Sequence, residues 1–263
     1  MQRTLTVPAE PREATIDLNS TALLIIDMQR DFLEPGGFGE LLGNDVTKLR
    51  KVVEPCRKLL ASARSIDMLV VHTREGHRYD LTDLHACKNQ RPGCPDPGVI
   101  GTFGPRGRIM VRGEAGHDIV PELYPRQGEP IIDKPGKGSF YATDLECILR
   151  ARGITTLLVC GVTTEVCVHT TIREANDRGY FCLCVSDCCG SYFDEFHASA
   201  LRMISAQGGI FGYVCESGKL ISAMSDDKMM GQEARTTGEE VGRGRTRAHE
   251  ASDARGEVEP DHE

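Results

Sequence analysis

The sequence predicts an α/β fold, a three-layer α/β/α domain whose central sheet is mostly parallel and six-stranded. Two observations predict it. From Thr21 to Val214, short apolar runs alternate with segments of helical periodicity, which is typical of parallel strands joined by helices. In addition, the chain of 263 residues contains no internal repeat, which favours one large domain over an array of small ones.

Apolar runs and helical spacing place the individual elements. Six strands are predicted at about residues 21–26, 68–72, 131–132, 156–160, 180–185 and 210–214, and helices at about 45–63, 142–152, 164–178 and 195–207. A Gly- and Pro-rich connection from about residue 73 to 117 is longer than compact domains usually contain, which indicates a functional insertion or lid.

Both ends of the chain differ in composition from the predicted domain, residues 21–225. Residues 1–20 contain Pro8 and Pro11, show neither helical nor strand periodicity and are predicted to form an extended arm. Residues 226–263 are rich in Glu, Arg, Gly, Asp and Thr and have no aromatic residue. Because such a segment buries too little apolar surface to offset its ordering entropy, we expect a disordered tail.

Charge and cysteine content narrow the class of protein. The net charge of −8 argues against nucleic acid or an anionic membrane surface as partner. No apolar stretch approaches the roughly 20 residues of a membrane span, and residues 1–10 lack the apolar core of a secretory signal. We therefore expect a cytoplasmic protein whose 11 cysteines are reduced, with Cys188 and Cys189 as free thiols at a strand-end turn.

A cysteine lies at a predicted strand-to-helix turn. The apolar run Thr156–Cys160 is followed by Gly161–Thr171 (GVTTEVCVHTT), which places Cys167 in the first turn of a helix. Free N–H groups and the helix dipole there favour a thiolate and can hold an oxyanion. Taken alone, such a cysteine is more often a small buried hydrophobic residue, so the assignment needs further support.

That support comes from polar residues that follow two other predicted strands. Asp27 ends the apolar run that begins at Thr21, and Lys134 follows Pro130–Asp133. Because the carboxyl ends of parallel strands share one edge of a sheet, we expect Asp27, Lys134 and Cys167 to converge. A carboxylate beside the thiol can accept its proton and pass it to a departing nitrogen, and a lysine can hold that carboxylate and lower the thiol pKa.

These three segments, in this order, resemble the isochorismatase-like cysteine hydrolases, which include nicotinamidases and ureidoacrylate hydrolases. The resemblance runs from about Thr21 to Val214. It is strongest to biuret hydrolase and its triuret-cleaving relatives, in the following segments: Val71–Arg78 (VHTREGHR), Asp133–Phe140 (DKPGKGSF), Arg173–Tyr180 (REANDRGY), Asp187–Gly190 (DCCG) and Gln207–Gly209 (QGG). Tyr141 and the segment Cys87–Gly107 depart from the biuret-cleaving sequences.

The resemblance implies an isochorismatase-like, Rossmann-like fold and a role for each matching residue. Cys167 would be the nucleophile, Asp27 the general base and Lys134 its partner. The peptide bond between Val162 and Thr163 would be cis, and the backbone N–H groups of Thr163 and Cys167 would form the oxyanion hole. The side chains implied to contact a small uncharged ureide such as biuret are Lys137, Gln207 and Phe32.

The resemblance also implies that the enzyme is a homo-oligomer, by family a tetramer, without cofactor or metal. The Asp-x-His zinc motif of nicotinamidases is absent after the second strand. One alternative is a structural zinc site formed by His77, His85, Cys87 and Cys94, although their spacing fits no standard pattern.

Two other classes of function stay open. One is a catalytically silent binding module on the same fold, which has no chemical need of Asp27, Lys134 and Cys167 together. The other takes Lys134–Ser139 as a phosphate loop, although its spacing is not that of the nucleotide-binding motif.

Overall fold

The computed structural model describes residues 3–89 and 99–227. The strands are β1 (Thr4–Val7), β2 (Ala14–Asp17), β3 (Thr21–Ile26), β4 (Leu69–Glu75), β5 (Phe103–Gly104), β6 (Gly107–Arg108), β7 (Ile131–Lys134), β8 (Thr156–Val162), β9 (Phe181–Gly190) and β10 (Tyr213–Cys215). The helices are α1 (Arg30–Leu33), α2 (Phe38–Leu41), α3 (Thr47–Arg50), α4 (Val53–Ser65), α5 (Ala86–Asn89), α6 (Leu145–Ala151), α7 (His169–Asp177) and α8 (Asp194–Gly209), followed by a last described helix, α9 (217–227).

The central sheet has six strands in the order β10-β9-β8-β3-β4-β7, and every pairing is parallel. Strands β3 and β8 lie at its centre and are buried along their whole length. Their unbroken apolar sequences suit a position covered on both faces. The predicted α/β architecture with a six-stranded parallel sheet flanked by helices is thereby confirmed.

Several elements differ in extent from the prediction. The helix expected over residues 45–63 is divided into α3 and α4, and α8 is interrupted at Ala206–Gly208, where the backbone leaves helical geometry. Strand β4 continues to Glu75, three residues beyond its predicted end. Strand β9 continues to Gly190, so Cys188 and Cys189 lie within a strand rather than in a turn. Both are free thiols, as are all other cysteines among the described residues.

The N-terminal segment forms a hairpin, so the segment predicted as an extended arm without strand periodicity does contain two strands. Strands β1 and β2 pair antiparallel, and Glu10 bridges to Val214 of β10. The buried residues alternate with exposed ones in both strands, the period of a half-buried strand. Pro8 and Pro11 lie in the connection between the strands, where they interrupt no pairing.

The described residues up to 224 form one compact unit, and the predicted tail begins two residues later, at residue 226. Residues 217–227 are helical, so the first two residues of the expected disordered tail belong to a helix. The rest of that tail, residues 228–263, lies outside the described residues. Among the described helices, none has the length and apolar character needed to cross a membrane.

Gly161 of β8 lies in close contact with the β3 backbone, next to the predicted nucleophile turn. Its φ is +118°, and an added Cβ would lie 2.1 Å from the carbonyl oxygen and 2.6 Å from the nitrogen of Ile26 in β3. Both obstacles are backbone atoms of the central sheet, so neither can move aside cheaply.

Gly161→Ala is expected to lower the free energy of unfolding by about 4 kcal/mol or more, because the methyl group forces β3 and β8 apart. Gly153→Ala is the matched control, since Gly153 also has a positive φ (+64°) but no atom within 4 Å of an added Cβ. It should cost only about 1–2 kcal/mol of backbone strain. Denaturant unfolding of the two variants measures the difference, and equal costs would contradict the close-approach explanation.

Candidate active site

Four adjacent strands of the sheet deliver one polar residue each to its carboxyl edge. Asp27 directly follows β3, Glu75 ends β4, Lys134 ends β7, and Cys167 lies in the turn after β8. Glu75 and Lys134 are register partners in the β4–β7 pairing. The predicted convergence of Asp27, Lys134 and Cys167 is therefore observed, and a further carboxylate joins them.

Asp27 and Lys134 form a fully buried ion pair. The Lys134 Nζ lies 2.7 Å from Asp27 Oδ2, and neither side chain is exposed to solvent. The Thr73 hydroxyl donates to Asp27 Oδ1 at 2.6 Å. Lys134 Nζ also donates to the carbonyl oxygens of Gly136 and Lys137, at 3.0 and 2.9 Å. These bonds stabilise the Lys134 ammonium and Asp27 Oδ1, while Oδ2 faces the ammonium charge, and so they help to offset the desolvation cost of a buried ion pair.

Cys167 lies in a π-helical turn, Thr164–Val168, that precedes α7. The peptide bond between Val162 and Thr163 is cis, as the family resemblance predicts. The Cys167 thiol donates to Glu75 Oε2 at 3.3 Å, and the sulfur and the nearest carboxylate oxygens of Asp27 and Glu75 lie within 4.8 Å of one another. A thiol, two carboxylates and an ammonium group therefore share one buried space.

Glu75 is the site residue that sequence reasoning missed. Its side chain is fully buried, and its Oε1 accepts from Lys88 Nζ at 2.8 Å and from Lys137 Nζ at 2.7 Å. The Gln29 side chain fixes the Glu75 backbone, because it accepts from the Glu75 N–H at 2.7 Å and donates to the Glu75 carbonyl at 2.9 Å. The second strand was predicted to end at His72. A strand predicted three residues longer would have placed Glu75 at the carboxyl edge of the sheet.

The surroundings of Cys167 oppose the thiolate that a helix start favours. Burial raises the pKa of Cys167 well above its usual value, and the negative charges of Asp27 and Glu75 raise it further. Lys134 lowers the Cys167 pKa, as predicted, but does not outweigh burial. Cys167 therefore needs a base that accepts its proton during the reaction.

The two carboxylates differ in proton affinity. Burial raises the pKa of Asp27, and Glu75 adds to this, although Lys134 opposes it. Burial alone would also raise the pKa of Glu75, but Lys134, Lys137 and Lys88 lower it well below its usual value. Asp27 is thus the better proton acceptor of the two, and Glu75 stays ionised.

The side chains expected to contact substrate have different positions. Lys137 joins the cluster through Glu75 and keeps a third of its side chain exposed. Phe32 is buried and packs edge-on against Phe38. Gln207 is exposed, with a left-handed backbone (φ 52°) in the interruption of α8. Within the described residues no hydrogen bond joins Gln207 to the Cys167 cluster. The substrate contacts of Gln207 and Phe32 therefore stay predictions. Tyr141 is half exposed and covers Gly136.

Asp27, Glu75 and Cys167 are the one group of potential metal ligands that meets among the described residues. The Lys134 ammonium lies 2.7 Å from Asp27 and 3.6 Å from Glu75, so a protein cation already neutralises this set. For the alternative zinc site, His77 is buried and bonded to Asp83 and Lys88, whereas His85 and Cys87 are exposed. Cys94 lies outside the described residues.

Comparison with known proteins identifies relatives of similar length and fold. Ureidoacrylate amidohydrolase RutB of Methylorubrum extorquens is 31% identical over 232 residues, which cover 85% of this chain and 90% of that protein. A cysteine hydrolase from Pseudomonas syringae pv. phaseolicola has a similar structure, with a TM-score of 0.68, 27% identity and coverage of 81% of this chain and 95% of that chain.

N-carbamoylsarcosine amidase from Thermoplasma acidophilum shares the fold, with a TM-score of 0.59, 24% identity and coverage of 75% and 96% of the two chains. The sequence model of the isochorismatase domain family matches residues 21–217, which contain every strand of the central sheet. Together with the fold, this match shows that the chain belongs to the isochorismatase family of hydrolases.

Proposed function

We propose that this protein is a cysteine-dependent amidohydrolase that cleaves a small linear ureide, namely biuret, to allophanate and ammonia. The observation that carries the proposal is the buried cluster in which the Cys167 thiol lies within 4.8 Å of the Asp27 carboxylate while Lys134 holds that carboxylate at 2.7 Å. A nucleophile, a base and a charge partner are the groups that thiol-dependent amide hydrolysis requires.

In the first half of the reaction, Asp27 takes the Cys167 proton as the sulfur attacks a terminal carbonyl carbon of biuret. The carbonyl oxygen becomes an oxyanion, for which the proposed donors are the backbone N–H groups of Thr163 and Cys167. The C–N bond then breaks, and Asp27 gives its proton to the departing nitrogen, which leaves as ammonia. A thiocarbamoyl enzyme is left, with the rest of biuret bound to sulfur.

In the second half, Asp27 takes a proton from water as the water oxygen attacks the thioester carbon. The C–S bond breaks, allophanate leaves, and Asp27 returns the proton to the Cys167 sulfur. The sum is biuret and water to allophanate and ammonia. The raised pKa of Asp27 suits this role, since the same group must take and return a proton twice.

The ion pairs of the cluster favour an uncharged substrate. Each of the ammonium groups of Lys88, Lys134 and Lys137 already contacts the carboxylate of Asp27 or Glu75. An uncharged substrate binds without breaking any of these ion pairs. Biuret is planar and uncharged, and its donors and acceptors suit the Lys137 ammonium and the Gln207 amide.

Ureidoacrylate is the second candidate substrate. The RutB proteins of Methylorubrum extorquens, 31% identical to this chain, support it. A third of the Lys137 side chain is exposed to solvent. This lysine would pair with the carboxylate of ureidoacrylate if it released Glu75. Triuret is a third candidate of the same mechanism.

Location and assembly are proposals as well. The free thiols of the described cysteines suit a reducing compartment such as the cytoplasm. A homotetramer is proposed from the family resemblance alone.

Cys167→Ser is expected to abolish turnover, by about three orders of magnitude or more, while leaving the fold intact. The hydroxyl is nearly isosteric with the thiol but far less easily ionised. Cys147→Ser is the matched control because Cys147 is an exposed thiol. Ammonia release should be measured on biuret, triuret, ureidoacrylate, nicotinamide and N-carbamoyl amino acids. Efficient cleavage of ureidoacrylate or triuret, with no cleavage of biuret, would overturn the biuret proposal. The amidohydrolase proposal would stand.

Lys134→Met is expected to move the midpoint of Cys167 alkylation by iodoacetamide to higher pH. The Lys134 charge lowers the thiol pKa more than that of Lys137, so its loss leaves the thiol facing two carboxylates without its main cation. The alkylated peptide that contains Cys167 is quantified by mass spectrometry across pH, with circular dichroism to verify folding. An unchanged midpoint in a folded variant contradicts this account of the thiol.

Gln207→Ala should lower kcat/KM for biuret by an amount equivalent to ~1–3 kcal/mol if its amide binds the distal urea end. Because Gln207 is exposed, the melting temperature should hardly change. Gln207→Glu should be worse, since a carboxylate keeps the acceptors but loses both donors. Glu195→Ala, also exposed on α8, is the control. An unchanged kcat/KM for biuret in Gln207→Ala would contradict the proposed contact between Gln207 and the substrate.

A further inference from the structure

The long connection predicted at about residues 73–117 forms an insertion after β4, and its helix α5 contributes Lys88 to the site. The Lys88 Nζ lies 2.8 Å from Glu75 Oε1, 2.9 Å from His77 Nε2 and 2.6 Å from the Pro135 carbonyl oxygen. An ammonium group has three donors, so each of its hydrogens has an acceptor. Lys88 is thus held in one orientation, with its charge directed at Glu75.

His77 acts as an acceptor toward this lysine. Because an ammonium group only donates, His77 Nε2 must carry a lone pair, which places the imidazole proton on Nδ1. Nδ1 lies 3.2 Å from Asp83 Oδ1, the acceptor for that proton. Burial lowers the His77 pKa, and the Lys88 charge lowers it further, so the ring stays neutral. A hydrogen-bonded chain therefore runs from Asp83 through His77 and Lys88 to Glu75.

A second contact, made by the residue next to Lys88, fixes the end of α5. The Asn89 side chain donates to the Ile100 carbonyl at 3.3 Å and accepts from the Ile100 N–H at 3.1 Å. The residue that follows Lys88 is thereby joined to a later part of the insertion. This anchoring places Lys88 without requiring the substrate to be bound.

The two oxygens of Glu75 face different partners. Oε1 accepts from Lys88 and Lys137, while Oε2 lies 3.3 Å from the Cys167 sulfur and 3.6 Å from Lys134 Nζ. The lysines on Oε1 fix the rotation of the carboxylate and so aim Oε2 at the thiol. The orientation of Glu75 toward Cys167 thus depends on residues that never touch the sulfur.

Given the proposed amidohydrolase function, on which this inference rests, we propose that Lys88 is a positioning residue of the reaction. Through Glu75 Oε1 it holds Glu75 as an ionised acceptor for the Cys167 S–H, which leaves Asp27 as the group that carries the proton. The insertion after β4 is then part of the catalytic apparatus.

The electrostatics of the site agree with this division. The charged and titratable groups that face Glu75 are Lys88, Lys134, Lys137, Asp27 and Cys167. The positive charges of three lysines favour its ionised form, and Lys88 is one of them. Two carboxylates at one thiol can have different roles when their surroundings separate their proton affinities.

A double-mutant cycle tests whether Lys88 acts through Glu75. The variants are Lys88→Met, Glu75→Gln and the double substitution, with Lys88→Arg as the charge-preserving variant and Lys51→Met, at an exposed lysine, as the control. The readout is the rate of Cys167 alkylation by iodoacetamide across pH, measured by mass spectrometry, which requires no substrate.

In the otherwise unchanged protein, Lys88→Met should slow alkylation at neutral pH by about tenfold, equivalent to one pH unit in the thiol midpoint. In the Glu75→Gln background it should change the rate less than about twofold, because the group through which it acts is already neutral. Lys88→Arg should restore most of the rate, and Lys51→Met should have none of these effects.

Equal effects of Lys88→Met in both backgrounds would overturn the proposal, since Lys88 would then act independently of Glu75. Faster alkylation in Lys88→Met would also overturn it, because the lysine would then only keep the insertion closed over the thiol. Should Lys88→Met fail to fold, Lys88→Gln takes its place in the same cycle.

Turnover separates this proposal from the proposed function. If the wild-type protein cleaves ureides, Lys88→Met should lower kcat/KM by about 100-fold, the scale of a mispositioned catalytic group, and Lys88→Arg should recover part of it. If the wild type releases no ammonia from any ureide, the proposed function fails, while the alkylation cycle still decides whether Lys88 positions Glu75.

Discussion

The buried pair of Asp27 and Lys134 is the interaction on which the site depends. Removing two charges from water costs several kcal/mol for each ion, so the pair persists only where other bonds complete it. Thr73 supplies a donor to Asp27, and the carbonyls of Gly136 and Lys137 receive the remaining lysine protons. These partners come from β4 and from the turn after β7, so the register of β3, β4 and β7 must be correct before the pair can form. The geometry of the site is in this sense a property of the sheet.

The state of the thiol follows from that environment. A helix start lowers a cysteine pKa by a partial charge, whereas the site of Cys167 adds complete burial and two carboxylates that favour the neutral form. One lysine does not reverse this balance. A neutral thiol is less reactive toward chance electrophiles, and its proton remains available for the nitrogen that must leave protonated. Activation therefore belongs to the reaction and is not a permanent property of the cysteine.

The sequence predicted the elements that periodicity and abrupt chemical change reveal. The fully apolar runs of β3 and β8 gave the sheet, and Asp27, Lys134 and Cys167 were found because each interrupts or follows such a run. Glu75 was missed because β4 ends in His72-Thr73-Arg74-Glu75, a polar sequence that resembles a loop, although three of these four residues are buried. The hairpin of β1 and β2 was missed because four-residue strands give only a short period. Lys88 could not be assigned from the sequence, because its contacts depend on the path of a long insertion.

Two carboxylates beside one thiol pose a question that the sequence could not raise. If Asp27 and Glu75 had equal proton affinities, the thiol proton would be shared between them, and a proton held by Glu75 would be less available to the leaving nitrogen. The number of nearby cations separates their proton affinities. Glu75 contacts three lysines, whereas Asp27 contacts Lys134 and the neutral hydroxyl of Thr73. Burial acts on both groups and so does not distinguish them. The distribution of lysines around the carboxylates thus directs the proton to Asp27, and two of those lysines come from segments outside the strands that hold the catalytic edge.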